Sequence, residues 1–222
     1  MKIAILGTGI VGRTLGSALV DAGHEVHLGS RSADHEGARL WAATSGERGH
    51  AGTFAEALAF TDEVVLNCTA GTASLEAVRM AGIDAFEERL VLDVANPLDF
   101  SGGMPPRITT GAGGESLGEQ LQALLPMARI VKVLNTVNSD LMVEPDLVPG
   151  GHHLFICGDS DEAKERARHL LSEWFGWHAE QFLDLGGIRA ARGTEAYVAF
   201  WITVMQALGT PHFSVEVHQA EG

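Results

Sequence analysis

Tyrosine occurs once in these 222 residues and cysteine twice, and lysine appears only at Lys2, Lys132 and Lys164. The single tyrosine excludes the Tyr-x-x-x-Lys proton relay of one large dehydrogenase class, because Trp201 stands four residues after Tyr197. No lysine lies on the last helix-like segment, so a catalytic lysine helix behind a nucleotide-binding half also fits poorly. Cys68 and Cys157 form no C-x-x-C and read as buried thiols of a reducing, cytoplasmic protein. Basic residues are few, 15 against 29 acids, and the net charge of −14 argues against nucleic acid or an anionic membrane as partner. No apolar run approaches the ~20 residues of a membrane span, and Ile3–Leu6, interrupted by Gly7, is too short for a signal-peptide core. The ten histidines are scattered, and the one adjacent pair, His152-His153, would point to opposite faces of a strand, so no metal site is expected.

Glycine is abundant, at 27 residues, and its first cluster carries most of the functional information. Lys2-Ile-Ala-Ile-Leu6 is a continuous aliphatic run, as expected of a central parallel strand buried on both faces. It feeds into Gly7-Thr8-Gly9-Ile10-Val11-Gly12, and a helix-spaced segment, Arg13 to Ala22, follows with Leu15, Ala18, Leu19 and Ala22 on one face. Gly23 closes that helix, and Glu25 to Gly29 reads as a second strand. Glycine triplets alone occur by chance in so glycine-rich a chain. The surrounding strand, helix and strand make this one a dinucleotide fingerprint. Gly7 permits the tight turn, Gly9 lets backbone approach a pyrophosphate, and Gly12 lets helix pack on strand. The helix N-terminus supplies free N–H groups to the phosphates.

The end of the second strand selects the dinucleotide. Sites for NAD usually carry a carboxylate there for the ribose 2′-OH. This chain has Gly29-Ser30-Arg31-Ser32 and no acid before Asp34. Arg31 offers a planar fork for a phosphate, Ser30 and Ser32 offer hydroxyls, and His35 adds partial positive charge, which together favour NADP(H). The alternative is that Arg31 is a solvated loop cation.

Strand-like and helix-like segments then alternate to about residue 185. Helical patterns cover Ala33 to Ser45, Phe54 to Phe60, Ser74 to Ala81 and Glu162 to Phe175. A capping box at Ser116-x-x-Glu119 opens another helix, to Leu125. Strand patterns cover His50 to Thr53, Glu63 to Cys68, Arg89 to Val94, Arg129 to Leu134, His152 to Cys157 and Trp177 to Leu183, and Ser101 to Gly114 reads as a loop. Gly111 to Gly114 also resembles a second phosphate cradle, for which helix capping is the simpler explanation. The expected fold class is α/β, a doubly wound Rossmann-type parallel sheet over residues 1–185 with a C-terminal helical segment over 186–222. The last helix, roughly Arg189 to Leu208, is apolar around most of its circumference, so its second face is expected to meet a partner subunit in a homodimer.

No sequence-local nucleophile and base stand together. A reaction that fits this absence is hydride exchange between two carriers, which needs only two rings held face to face with water excluded. Small and amide residues at the strand ends suit that role, and the candidates are Asn67, Cys68 and Thr69, then Ala95, Asn96 and Pro97, then Asn135, Thr136 and Val137. In open α/β sheets those ends line the ligand crevice. The alternative is that the three asparagines only cap turns.

Several segments together resemble the family of coenzyme F-420-dependent NADP reductases. They are the glycine turn, Gly29-Ser30-Arg31, Val131 to Val137, Cys157-Gly-Asp-Ser-Asp-Glu-Ala-Lys164, and Asp184 to Arg192 with Glu195 behind it. The resemblance implies NADP contacts at Thr8, Ser30 and Arg31, and a deazaflavin crevice formed partly by Asn135–Val137. The turn Asn135-Thr-Val-Asn138 departs from the His-Thr-Ile-Pro form of some members. The resemblance therefore bears on fold and NADP(H) more than on the second carrier. That carrier is read as coenzyme F-420 or a flavin. The competing expectations are an NADPH-dependent reductase of another small substrate and a non-catalytic NADP(H)-binding sensor.

Overall fold

The computed structural model describes residues 1–61, 63–111 and 113–220. Within them, β1 (Lys2–Leu6), α1 (Ile10–Asp21) and β2 (Glu25–Ser30) form the opening unit. Then come α2 (Glu36–Thr44), β3 (Gly49–Thr53), α3 (Phe54–Phe60), β4 (Val64–Asn67), α4 (Ser74–Ala81) and β5 (Leu90–Asp93). A short ribbon of β6 (Leu98–Asp99) and β7 (Arg107–Ile108) precedes α5 (Leu117–Leu124), β8 (Arg129–Val133) and α6 (Ser139–Val143). The chain finishes with β9 (Leu154–Cys157), α7 (Asp161–Phe175), β10 (Phe182–Asp184) and α8 (Ala191–Leu208).

Eight strands make one sheet in the order β10-β9-β8-β5-β4-β1-β2-β3. Every neighbouring pair is parallel except β8 with β9. This is the expected doubly wound Rossmann-type sheet, extended by two strands running the other way. The strand order reverses between β1 and β4, which opens a crevice above their carboxyl ends. The register there is even: Leu6 lies beside Asn67, Asn67 beside Asp93, and Asp93 beside Lys132. Three polar side chains, Asn67, Asp93 and Lys132, are thus brought into one row by strands whose other buried residues are apolar.

Both faces of the sheet are covered. One core gathers Ile3, Ile5, Leu15, Leu66, Val131 and Trp177, and the other gathers Ala4, Leu6, Leu58, Phe86, Leu121 and Ile130. Alternate residues of β1 serve opposite cores, so β1 reads as an unbroken apolar run. On α1 the helix–helix seam is tight, since a Cβ at Gly16 would lie 2.9 Å from the Trp41 ring. Trp41 Nε1 donates to Ser17 Oγ at 2.9 Å.

Two readings of the sequence need correction, and one element goes unannounced by it. Arg107–Ile108, expected in a loop, pairs antiparallel with Leu98–Asp99. Trp177 is not in a strand: β10 begins at Phe182, and Trp177 is a buried plug whose Nε1 donates to Met142 O at 3.0 Å. The short helix α6 lies in a stretch with no full helical period, so the pattern does not announce it. On α8, Thr194, Glu195, Val198 and Ile202 face inward, while Phe200 and Leu208 are exposed on its other side. The Gly111–Gly114 cradle includes residue 112 and lies partly outside the described residues.

Candidate functional site

The turn between β1 and α1 is built from glycine for steric reasons. Gly7 has φ +118°, and a Cβ there would sit 2.4 Å from the Cys68 carbonyl oxygen. A Cβ at Gly12 would lie 2.2 Å from the Gly7 carbonyl oxygen. Gly9 differs, because nothing lies within 4 Å of its would-be Cβ, so its backbone faces open space. Gly9 is also the N-cap of α1 and supplies no side-chain acceptor, which leaves the first amides of a twelve-residue helix for a ligand. Arg13 Nη1 donates to Thr8 O at 2.9 Å and steadies the turn.

A cavity of about 500 Å³ runs from Gly7, Thr8 and Gly9 past Ser30, Arg31, Ser32 and His35 on one side, and Cys68 and Thr69 on the other. Nine of the expected site residues therefore share one cleft of ordinary cofactor size. Arg31 is exposed at its edge, and its guanidinium has no hydrogen bond or ion pair among the described residues. Asp34 also lines the cleft, 3.9 Å from Arg39. An open glycine turn, an uncapped helix and a free arginine fork at the end of β2 match the pyrophosphate and 2′-phosphate of NADP(H).

Some of these residues also have structural partners. Ser30 is buried, and its hydroxyl donates to Ser32 O and lies 3.4 Å from Gly52 O, so it shapes the loop that carries Arg31. His35 caps α2: Nδ1 accepts from the Ala38 N–H at 3.2 Å, while Nε2 lies 3.2 Å from Thr8 Oγ1. The ring thus ties the start of α2 to the glycine turn. Ile10 and Val11 offer their backbone at the helix start but do not line the cleft, and Ile10 points into solvent. Cys68 is buried, and burial, with Asp93 nearby, pushes its thiol far above the usual range. It serves as a wall.

The other strand ends stand beside this cleft. A Cβ at Gly71 would lie 2.3 Å from the Asn96 carbonyl oxygen, so the β4 and β5 loops touch. Asn96 Nδ2 donates to Asn135 O at 2.8 Å, and Asn135 Nδ2 donates to Asn96 Oδ1 at 3.0 Å. Just before Asn135, buried Leu134 takes φ +66°, a conformation costing a non-glycine residue roughly 1–3 kcal/mol. Asn135 Oδ1 and Thr136 Oγ1 are buried and have no partner among the described residues. Val137 closes the turn by donating its N–H to Leu134 O at 3.3 Å. Ala95 and Pro97 are buried behind Asn96.

Asn67 belongs to a layer beneath the cleft that sequence reasoning missed. Its Nδ2 donates to Asp93 Oδ1 at 2.8 Å and lies 3.2 Å from Ser74 Oγ. Its Oδ1 accepts from Thr69 Oγ1 at 2.8 Å. Lys132 Nζ reaches Asp93 at 2.8 Å, Glu195 at 2.9 Å and the Ala95 carbonyl at 2.5 Å. Glu195 in turn accepts from the Leu117 and Gly118 amides of α5 at 2.9 and 3.0 Å. Burial alone would pull the Lys132 pKa down, but Asp93 and Glu195 outweigh it and hold the pKa above the usual lysine value. The available signal was a lysine inside Ile130-Val-Lys-Val-Leu134, since charge in a central strand is almost never buried unpaired.

A family model described as NADP oxidoreductase, coenzyme F420-dependent, matches residues 2–97. The crystal structure of a protein from Arthrobacter sp. FB24, assigned as an F420-dependent NADP reductase, is 40% identical. It superposes with a TM-score of 0.90, covering 99% of this chain and 100% of that one. The metalloreductase STEAP3 of Rattus norvegicus is 29% identical over 196 residues, 88% of this chain and 36% of its own length. The chain thus spans about a third of that curated relative. A reductive aminase from Aspergillus terreus, in complex with NADPH and ethyl levulinate, shares the fold at 17% identity. Its TM-score is 0.64, with 94% of this chain and 62% of that one covered.

Proposed function

The chain belongs to the coenzyme F420-dependent NADP oxidoreductase family, and from that membership we propose that it passes hydride directly between NADPH and a deazaflavin of the F-420 type or a flavin. It is an NADP-dependent oxidoreductase. NADPH, when bound, supplies the hydride. The protein contributes binding, orientation and exclusion of water. Gly9 and the first amides of α1 hold the pyrophosphate, and Arg31 and Ser32 meet the 2′-phosphate. The loops ending in Thr69, Pro97 and Asn135 wall the place where two planar rings stack.

One observation carries this reading. Residues 67–69, 95–97 and 135–137, at three adjacent strand ends, present amides, small side chains and a buried thiol, with no exposed acid or base among them. Such a wall positions rings and relays no proton, which is what transfer between two carriers requires. The test is NADPH oxidation followed by absorbance with F-420, with FMN and with no carrier. Turnover with a carrier supports the proposal. Tight NADPH binding without turnover would point to a redox sensor instead.

The likeness to the rat metalloreductase over 88% of this chain favours a second reading, reduction of a small metal chelate by NADPH. Ferric chelates added alone or together with a flavin separate the two readings. A homodimer through the exposed face of α8 and a cytoplasmic setting complete the proposal. Among the described residues no helix is long and apolar enough to cross a membrane.

A further inference from the structure

Lys132 is wholly buried at the centre of the sheet, and nothing in the proposed chemistry uses it directly. Burying an ammonium between two carboxylates is expensive, and apolar residues of similar volume often stabilise a fold as well or better. The group therefore calls for a role beyond stability.

Each of the three Lys132 protons has an acceptor: Asp93 Oδ2, Glu195 Oε1 and the Ala95 carbonyl. The Ala95 backbone is held on both sides: its N–H lies 3.3 Å from Asp93 Oδ1, and the peptide that carries its carbonyl accepts from Lys132. That peptide leads straight into Asn96, whose amide bonds Asn135 across the crevice. Asp93 Oδ1 also holds Asn67, which orients the Thr69 hydroxyl; that hydroxyl lies 2.6 Å from Ser74 Oγ. Thr69 lines the cofactor cleft. Both lips of the crevice, the β4 loop and the β5 loop, thus hang from one ammonium. Glu195 anchors it from behind on α8 and is itself fixed by the first amides of α5.

We propose that Lys132 is a positioning residue for hydride transfer, setting the Ala95–Pro97 and Thr69 walls of the crevice through the Ala95 carbonyl and through Asp93 and Asn67. The proposal rests on the strand-end crevice being the transfer site. It assigns Lys132 no contact with either carrier.

The experiment compares wild type with Lys132→Met and with the double variant Lys132→Met/Asp93→Asn. The double variant removes a charge of each sign and leaves Glu195 satisfied by the α5 amides, so it serves if the single variant does not fold. Three quantities are read: NADPH affinity, the single-turnover rate of NADPH oxidation with the accepting carrier, and amide hydrogen exchange in the cofactor-free protein. The transfer rate should fall about tenfold or more while NADPH affinity stays within about threefold, since misplaced rings cost rate and the phosphates are held elsewhere. Exchange should quicken at Gly71 and Leu98, both bonded to Asn96 O, and stay slow in β1 and β2. A folded variant with the wild-type rate and unchanged exchange at those two amides would overturn the proposal. So would exchange that rises uniformly, with rate and affinity lost together, which marks a purely structural ion pair. If wild-type protein binds NADPH but oxidises it with none of the carriers, the functional reading has failed. Hydrogen exchange and the circular dichroism of bound NADPH then decide alone whether Lys132 sets the crevice wall.

Discussion

Asn96 and Asn135 exchange hydrogen bonds across 39 residues of sequence, the amide of each donating to an oxygen of the other. The pair joins the ends of β5 and β8 and closes the crevice on the side away from the glycine turn. Its backbone is held in turn by the left-handed Leu134 and by the Lys132 clamp on Ala95.

Replacing Asn135 with Ala removes one of the two bonds and loosens this wall. A misplacement of 1 Å in a near-attack geometry costs on the order of 10²-fold in rate. Turnover of Asn135→Ala should therefore fall by about that much, with NADPH affinity nearly unchanged. Parallel measurement of NADPH Kd and single-turnover rate checks this. Equal losses in both would place Asn135 in cofactor binding.

Arg31 is expected to govern cofactor choice. Its guanidinium is free of protein partners among the described residues, so no internal bond offsets the loss of a phosphate contact. A charge-assisted bond contributes roughly 2 kcal/mol, so Arg31→Ala should weaken NADPH binding about thirtyfold and leave NADH binding unchanged. Titration with both cofactors is the check. An undiminished preference for NADPH would mean that Ser32 and the loop backbone read the phosphate.

Much of this cleft was legible in the sequence because it is local. The turn from Gly7 to Gly12, its flanking strand and helix, and Arg31 all fall within one unit of chain, and the capping box at Ser116 and Glu119 is present as expected. The buried layer was not legible, because Asn67, Asp93, Lys132 and Glu195 come from four separate elements. They meet only through sheet register and the packing of α8. Ser30 and His35 line the cleft, and each also has a structural task that the sequence does not announce. Their residue types suit a phosphate, and their polar atoms also meet the strand β3 backbone, the nearby loop and the start of α2. Trp177 looks like strand because its apolar neighbours alternate, whereas its indole N–H needs Met142 O in the interior.

Acid should release one specific contact between α5 and α8. Arg192 Nε lies 2.7 Å from Glu119 Oε2, and this bond, with help from the Ser116 amide and hydroxyl, lowers the Glu119 pKa from 4.5 to about 2. A carboxyl with a depressed folded-state pKa adds stability above its unfolded value and loses it as pH falls. The stability gap between wild type and Glu119→Gln should be full above about pH 4.5, narrow between there and about pH 2, and close below. Urea unfolding across that range measures it. A gap independent of pH would show that the charge contributes nothing.

The outer face of α8 predicts assembly. Phe200 and Leu208 are 59% and 58% exposed, beside half-buried Tyr197 and Trp201, an apolar surface that soluble monomers rarely leave open. Light scattering should give twice the 23.5 kDa chain mass, and Phe200→Glu should halve it without altering NADPH affinity. A wild-type monomer at micromolar concentration would contradict the dimer.

Direct transfer of hydride is tested most sharply by stereospecifically deuterated NADPH with F-420 as acceptor in a single turnover. A crevice that only positions two rings delivers the label to the acceptor carbon of the deazaflavin, with a primary isotope effect on NADPH oxidation. Deuterium appearing in water, with none on the acceptor, would contradict direct transfer and require a proton-exchanging group that the strand-end residues do not provide.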